Sequence, residues 1–331
     1  MVADVVIIGA GIVGACCAYF TAAAGLRTIV LDRAGIAGGT SSSGEGNLLV
    51  SDKEPGPELE LAQYSQRLWR GVLAEFGADW EYEDKGGVVV AETAAALAGL
   101  CRLTEAQRRA GVRVVDLPSD RLPDHEPELS RGLAGGAYYP EDAQLQPMLA
   151  AAGLLRQARR LGAELRLGPE VTGFLRSGDR VTGVRTTAGD LPAGQVINAA
   201  GTWAGQVAER AGIALPVLPR RGFVLVTEPV GRLIRHKVYS ADYVGDVASS
   251  DAALQTSPVI EGTPSGTVLI GSSRERVGFD HTVVPEILGL LARQAVALFP
   301  VLAGLRAIRH YHGFRPYCPD HLPVIGADPR A

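Results

Sequence analysis

Basic runs are absent from this 331-residue sequence, in which 32 Lys and Arg face 36 Asp and Glu for a formal charge of −4. A nucleic-acid partner therefore has no electrostatic footprint here. Cysteine is scarce as well. Cys16, Cys17, Cys101 and Cys318 form neither a Cys-x-x-Cys pair nor a spaced framework, and the adjacent Cys16 and Cys17 cannot readily pair or share one tetrahedral metal. Such usage fits a reduced compartment, and the expectation is a cytoplasmic protein without a metal site. Low charge does not mean disorder, because 47% of the residues are hydrophobic. No internal repeat or low-complexity run is present, and the length suits two domains or one α/β unit with an insert.

Charge is also missing between Asp4 and Arg27, a gap long enough to raise the question of a membrane span. No basic residue precedes the apolar run, as a signal peptide requires, and Gly9, Gly11 and Gly14 interrupt it. Membrane insertion is not expected. What the chain has in excess is glycine, 41 residues without a collagen period, which points to tight turns or to backbone approaching a ligand closely.

Those first glycines have a specific reading. Asp4 to Ile8 is a β-branched run of the kind buried on both faces of a parallel sheet. Gly9-Ala10-Gly11-Ile12-Val13-Gly14 follows, then an alanine-rich helical stretch ended by Gly25, then the strand Thr28 to Leu31 with Asp32 at its end. This is a complete βαβ dinucleotide fingerprint. Gly9 permits the turn, Gly11 lets a pyrophosphate approach the helix start at Ile12 and Val13, Gly14 packs helix on strand, and Asp32 accepts from ribose hydroxyls. After Asp32-Arg33, the run Gly38 to Leu48 is too rich in glycine and hydroxyls for ordinary strand or helix. Its amides and side chains suit a second set of phosphate oxygens and a ribityl chain; a Gly/Ser linker is the bland alternative. An NAD(P)-dependent dehydrogenase fits the first motif but leaves this run unexplained.

The ordered motifs Gly9-x-Gly11-x-x-Gly14, Asp32-Arg33, Thr40-Ser41-Ser42 and Gly46-Asn47-Leu48 resemble the FAD-dependent D-amino acid oxidase superfamily, which includes glycine oxidase and β-type sarcosine oxidase subunits. Three later segments agree: Tyr138 to Pro147, Val196-Ile197-Asn198-Ala199-Ala200-Gly201-Thr202-Trp203, and Gly313-Phe314-Arg315-Pro316-Tyr317-Cys318-Pro319-Asp320. The resemblance implies an α/β protein, a glutathione-reductase-like FAD-binding Rossmann domain with an inserted β-rich substrate domain. It places residues 1–80, 140–215 and 305–331 in the first and 81–139 and 216–304 in the second. It implies that Val171 lies beside the adenine, that Arg33, Leu48, Ala199, Gly201 and Trp203 join the cofactor site, and that Thr40 to Asn47 hold the riboflavin half.

The implied reaction is oxidation of the C–N bond of a small amino acid or cyclic imino acid, with hydride transfer to flavin N5. Such a substrate needs a carboxylate anchor. Arg315 is the candidate catalytic residue because a guanidinium grips a carboxylate bidentately; an ion pair with Asp320 is the bland alternative. Cys318 is out of place for a covalent flavin link, so FAD is expected to be non-covalent. His310 and His312 share a strand face without an evident third ligand. Arg220 and Arg221 read as shaping a domain-crossing turn. Leu61, Ala62, Leu68, Trp69, Val72, Leu73 and Phe76 read as the core face of one helix.

Two departures from the resembling family stand out. Its active-site tyrosine is missing near Pro258 to Glu261, with Tyr239 and Tyr243 as substitutes. Its members also continue past Leu322 to Gly326 through a glycine-rich loop and a helix that serve the flavin pyrimidine ring. From this follow an expected truncation or an electron-accepting partner subunit, and an alternative reading as the flavin-binding subunit of a hetero-oligomer with little activity alone.

Overall fold

The computed structural model describes residues 2–243 and 251–329. The chain begins with β1 (Ala3–Ile8), α1 (Ile12–Ala23), β2 (Thr28–Asp32), β3 (Asn47–Leu48), α2 (Pro57–Arg70), β4 (Gly87–Ala91) and α3 (Ala94–Arg109). It continues through β5 (Val115–Pro118), α4 (Leu122–His125), β6 (Gly135–Tyr139), β7 (Ala143–Gln144), α5 (Pro147–Arg160) and β8 (Glu164–Leu167). Then come β9 (Val171–Ser177), β10 (Arg180–Thr186), β11 (Gly189–Asn198), α6 (Ala204–Glu209) and β12 (Leu218–Thr227). The described chain closes with β13 (Lys237–Ser240), β14 (Gln255–Gly262), β15 (Val268–Arg274), α7 (Pro285–Leu298) and β16 (Ala307–Tyr317).

Two sheets carry the architecture. One has six strands in the order β8-β2-β1-β11-β10-β9, parallel from β8 to β11 and then an antiparallel meander. The β-branched run at β1 lies at its centre because both faces are covered. On one side α1 buries Gly14, Ala15, Ala18 and Ala22, small enough for α5 to pack closely with Ala150, Ala151, Leu154 and Ala158. The other sheet has eight strands, β16-β12-β15-β14-β13-β4-β6-β5, with α7 packed through Ile287, Leu291, Ala295 and Leu298. The charge-free stretch after Asp4 is thus β1 and α1. Among the described residues no helix is long and apolar enough to cross a membrane.

Several expectations meet a different structure. Residues 307–317, expected with the nucleotide-binding segments, form an edge strand of the eight-stranded sheet and pair with β12 along nearly their whole length. Arg220 and Arg221 lie inside β12, not in a turn, and Arg221 is held by Glu275 and Asp280 at 2.8 Å each. Helix α2 buries Leu59, Gln66 and Trp69, whereas Leu61 and Val72 are exposed. The helix ends at Arg70, and the apolar residues divide between two cores: Leu59 and Ala62 pack in one, Trp69, Leu73 and Phe76 in the other.

A buried acid joins the second sheet to the segment after β3. Asp142 is fully buried and accepts hydrogen bonds from the Val50 amide at 2.9 Å and from the Ser51 hydroxyl, which in turn accepts from Tyr239. Burial pushes its carboxyl up to about 7, against the downward pull of the Ser51 and Val50 hydrogen bonds. A carboxyl whose folded pKa lies above its unfolded value contributes stability below the unfolded value near 4 and loses it as pH rises through 7. Asp142→Asn keeps the shape without the charge. Its stability relative to wild type should therefore grow between pH 4 and pH 7 and level off above, by at most about 4 kcal/mol. Denaturant unfolding of both proteins at pH 5 and pH 8 checks this; an advantage that shrinks with pH would refute it.

Candidate functional site

The turn after β1 is built on backbone contact. Gly9 has φ +112°, and a Cβ there would lie 2.4 Å from the Ala199 carbonyl oxygen at the end of β11. A Cβ on Gly14 would meet the Gly9 carbonyl at 1.9 Å, which is how helix and turn pack so closely. Helix α1 starts after Gly11 without a side-chain cap of its own, and the Ile12 amide donates to Ser41 Oγ at 2.9 Å. Gly11, Ile12 and Val13 line a cavity of about 580 Å³, so the positive end of the helix faces it. Asp32 braces the turn: Oδ2 accepts from the Ala10 amide and Oδ1 from the Ala34 amide, each at 2.8 Å. Each carboxylate oxygen keeps a lone pair for a ribose hydroxyl.

Beyond Asp32 the wall is aromatic and charged. Arg33 lies 5.3 Å over the Trp203 ring and 3.5 Å from Glu170, which Arg210 also holds at 2.8 Å. Val171 and Val207 supply apolar surface there. Trp203 stacks on Phe279 at 5.3 Å and approaches Gly39 so closely that a Cβ would come within 2.7 Å of the indole. The Phe314 carbonyl accepts from Thr40 and Thr202, each at 2.7 Å. Gly46, at φ +82°, lies flat against the Leu145 carbonyl.

Polar groups gather at the β-sheet end. Arg315 crosses β12 over Gly222, where a Cβ would collide with its guanidinium at 2.0 Å, and donates to the Ser273 carbonyl at 2.9 Å. No carboxylate among the described residues pairs with it, and Asp320 instead accepts from the Leu322 amide. Burial, and then the neighbouring Arg274, pull the Arg315 pKa below its ordinary value. Tyr243 lines the same end beneath Arg274 at 4.7 Å. Tyr239, the other tyrosine considered, is buried in the second sheet and donates to Ser51.

Beside this lies a buried charge cluster. Lys237 is 2% exposed, within 3.3 Å of Glu261 and 3.7 Å of Glu45, and donates to the Asn47 side chain. Burial opposes its charge, but Glu261 and then Glu45 outweigh that and hold its pKa above the usual lysine value.

The cavity brings together Gly9, Gly11, Ile12, Val13, Asp32, Arg33, Thr40, Ser41, Gly46, Asn47, Leu48, Val171, Ala199, Gly201, Trp203 and Arg315. Two predicted residues are not on its surface. Gly14 faces Gly9 instead, and the Ser42 hydroxyl donates to the Gly39 carbonyl. Cys318 is off the cavity too, its thiol pKa raised by burial and by Asp320. His312 meets His281 at 3.2 Å, and no group of three or more metal-ligating side chains exists among the described residues. Sequence reasoning missed Glu170, Arg210 and Gly222, and placed Glu45 in the cofactor run without singling it out. Only Glu45 left a signal, as the lone acid in the glycine–hydroxyl run.

The cradle fits a dinucleotide such as FAD: three glycines lie where a Cβ would fill the site or strike its wall, the N-terminus of α1 lines the cavity, and a carboxylate stands at the end of β2. Comparison with known proteins agrees. Residues 4–331 match the family described as DAO, FAD dependent oxidoreductase. The hydrogen cyanide synthase subunit HcnC of Pseudomonas aeruginosa is 31% identical over 98% of this chain and 84% of its own length. Glycine oxidase of that species is likewise 31% identical, over 98% of this chain and 86% of its own. The crystal structure of glycine oxidase from Geobacillus kaustophilus aligns with a TM-score of 0.88 at 26% identity, covering 99% of this chain and 86% of that one.

Removing the Asp32 carboxylate takes away two hydrogen bonds to backbone amides as well as a ribose acceptor. Asp32→Ala should cost about 1–3 kcal/mol of stability and lose most bound flavin on dialysis. Flavin absorbance after exhaustive dialysis is the readout, and full retention would remove Asp32 from the nucleotide site.

Proposed function

The chain belongs to the DAO family of FAD-dependent oxidoreductases, and from that premise we propose that it oxidises the C–N bond of a small amino acid or cyclic imino acid. The observation that carries this reading is Arg315, a guanidinium at the sheet end of the cavity with no carboxylate partner among the described residues. FAD bound in the cavity supplies the two-electron acceptor for the reaction. Gly9, Gly11 and the first turn of α1 would hold its pyrophosphate, Asp32 its ribose, and Thr40 to Leu48 its riboflavin half.

The protein's own contribution is position. A bidentate guanidinium fixes both the location and the rotation of a substrate carboxylate, which sets where the adjacent C–H bond points. Gly222 gives Arg315 the room to lie across the strand, and the Ser273 carbonyl holds one of its N–H groups. Leu48, Leu145, Val224 and Phe314 line the cavity with apolar surface that keeps water from the bound amine. The relative named as a synthase subunit supports a second reading, in which the chain passes its electrons to a partner and turns over slowly alone. Oxygen consumption compared with reduction of an artificial acceptor separates the two.

Arg315→Lys keeps the charge and loses the fork. Loss of one charge-assisted hydrogen bond predicts a KM higher by roughly 10- to 100-fold with an unchanged flavin spectrum. Anaerobic flavin bleaching across a panel of amino and imino acids measures it; unaltered kinetics on every accepted substrate would make Arg315 a structural residue.

A further inference from the structure

A second cavity, of about 210 Å³, lies beside the main one and shares Asn47, Leu48 and Tyr243 with it. The Tyr243 hydroxyl acts on the charge of Arg315 and on that of Lys53, so it stands within reach of both the carboxylate anchor and the second cavity. Helix α2 supplies Ala62 and Ser65, three residues apart on one face. The Gln66 amide donates to the Leu48 carbonyl at 3.1 Å and so fixes the strand that both cavities share.

The polar wall of this cavity is the loop after Leu48, and buried side chains hold that loop in one shape. Gln107, fully buried, donates to the carbonyls of Val50, Ser51 and Lys53 at 3.3, 3.2 and 2.7 Å, while its own oxygen accepts from Tyr139. Asp142 accepts from the Val50 and Ser51 amides at 2.9 and 3.4 Å and from the Ser51 hydroxyl. Val50 and Ser51 are buried, and the polar side chains that the loop gives to the cavity are Asp52 and Lys53. A loop fixed by this many buried partners presents those two groups in one geometry, as recognition of a ligand requires.

Asp52 is only half engaged. Its Oδ1 accepts from Lys53 Nζ at 2.7 Å, whereas Oδ2 accepts no hydrogen bond from the described residues and is not sealed from solvent. The side chain keeps 8% of its surface, in the wall of the second cavity. The charged groups facing it are Lys53 on its own loop, Glu58 at the start of α2, 3.4 Å from Lys53, and Asp142 behind the loop. Tyr243, with Arg274 over its ring at 4.7 Å, completes the set. Lys53 beside Oδ1 disfavours a second cation at Asp52, and the carboxylate itself disfavours an anion, which leaves a neutral donor as the matching group. We propose that the second cavity takes the substrate's side chain and that Asp52 Oδ2 accepts a hydrogen bond from a hydroxyl on it, so that amino acids with hydroxylated side chains are preferred. This rests on the reading that Arg315 holds the substrate carboxylate in the main cavity.

The test is anaerobic reduction of the flavin-loaded protein by matched pairs of amino acids that differ only by a methyl exchanged for a hydroxyl. Serine is set against 2-aminobutyrate, homoserine against norvaline and 5-hydroxynorvaline against norleucine, each as both enantiomers. At the length that reaches Asp52, wild type should favour the hydroxyl member in kcat/KM by roughly tenfold or more, the effect of a hydrogen bond to a charged group. Asp52→Leu should abolish that ratio. Ala62→Leu, which narrows the cavity and leaves the carboxylate in place, should lower both members of the pair by roughly tenfold relative to glycine. No hydroxyl preference in any pair, a preference that survives Asp52→Leu, or an equal loss for both members in that variant would overturn the assignment. So would an amine analogue of the best substrate outperforming the hydroxyl. Reduction by amino acids without a hydroxyl preference removes only the role of Asp52; a flavin that no amino acid reduces removes the amine-oxidation reading and this inference with it.

Discussion

The carbonyl oxygen of Phe314 accepts hydroxyl hydrogen bonds from both Thr40 and Thr202, and the two hydroxyls lie 3.1 Å from each other. Both of its lone pairs are engaged. Thr40 opens the hydroxyl-rich loop, Thr202 follows the end of β11, and Phe314 immediately precedes Arg315. Three segments 162 and 112 residues apart in the chain are thereby fixed to one point. The distance from the nucleotide half to the carboxylate anchor is set there, in a place where Thr202 is 2% exposed and water does not compete.

The rest of the site is arranged around that fixed point by small residues and buried charges. Glycine at 9, 39, 46, 222 and 313 lets backbone or side chain from elsewhere come to contact distance. The buried charges act differently. Lys237 and Glu261 belong to the eight-stranded sheet, Glu45 to the segment leading into β3 and Asn47 to β3 itself, so their pairing pins that segment to the sheet. A wholly apolar seam would cost less desolvation, but it would also leave the segment free to slide.

What was legible in the sequence was local. The strand–turn–helix spacing around Gly9 to Gly14 and the acid at 32 lie within one βαβ unit, where residue type and position carry the geometry directly. Helices α3 and α5 also follow from their neighbours: Thr93 caps the first by accepting from Ala96, and Pro147 opens the second. Position and charge at long range were not legible. Nothing in the neighbours of Lys237 marks it as buried, because its partner Asn47 lies 190 residues away. Arg220 and Arg221 resemble a turn in sequence because the partner that makes them a strand, β16, lies near the far end of the chain. The α2 stripe misled because the helix stops at Arg70 and its apolar residues divide between two cores.

The parallel pairing of β1 with β11, Ala3 against Ala193 through Ile8 against Asn198, has a consequence for biosynthesis. Strand β2 can cover one edge of β1 almost as soon as it leaves the ribosome, but the other edge must wait for β11. At ordinary translation speeds of about 5–20 residues per second, that edge stays open for on the order of 10–40 s. During this interval an apolar, β-branched strand is a half-paired template, able to recruit any extended segment that passes. Nascent-chain chaperones therefore have their clearest task here at the very start of the chain, long before any residue of the carboxylate anchor has been made.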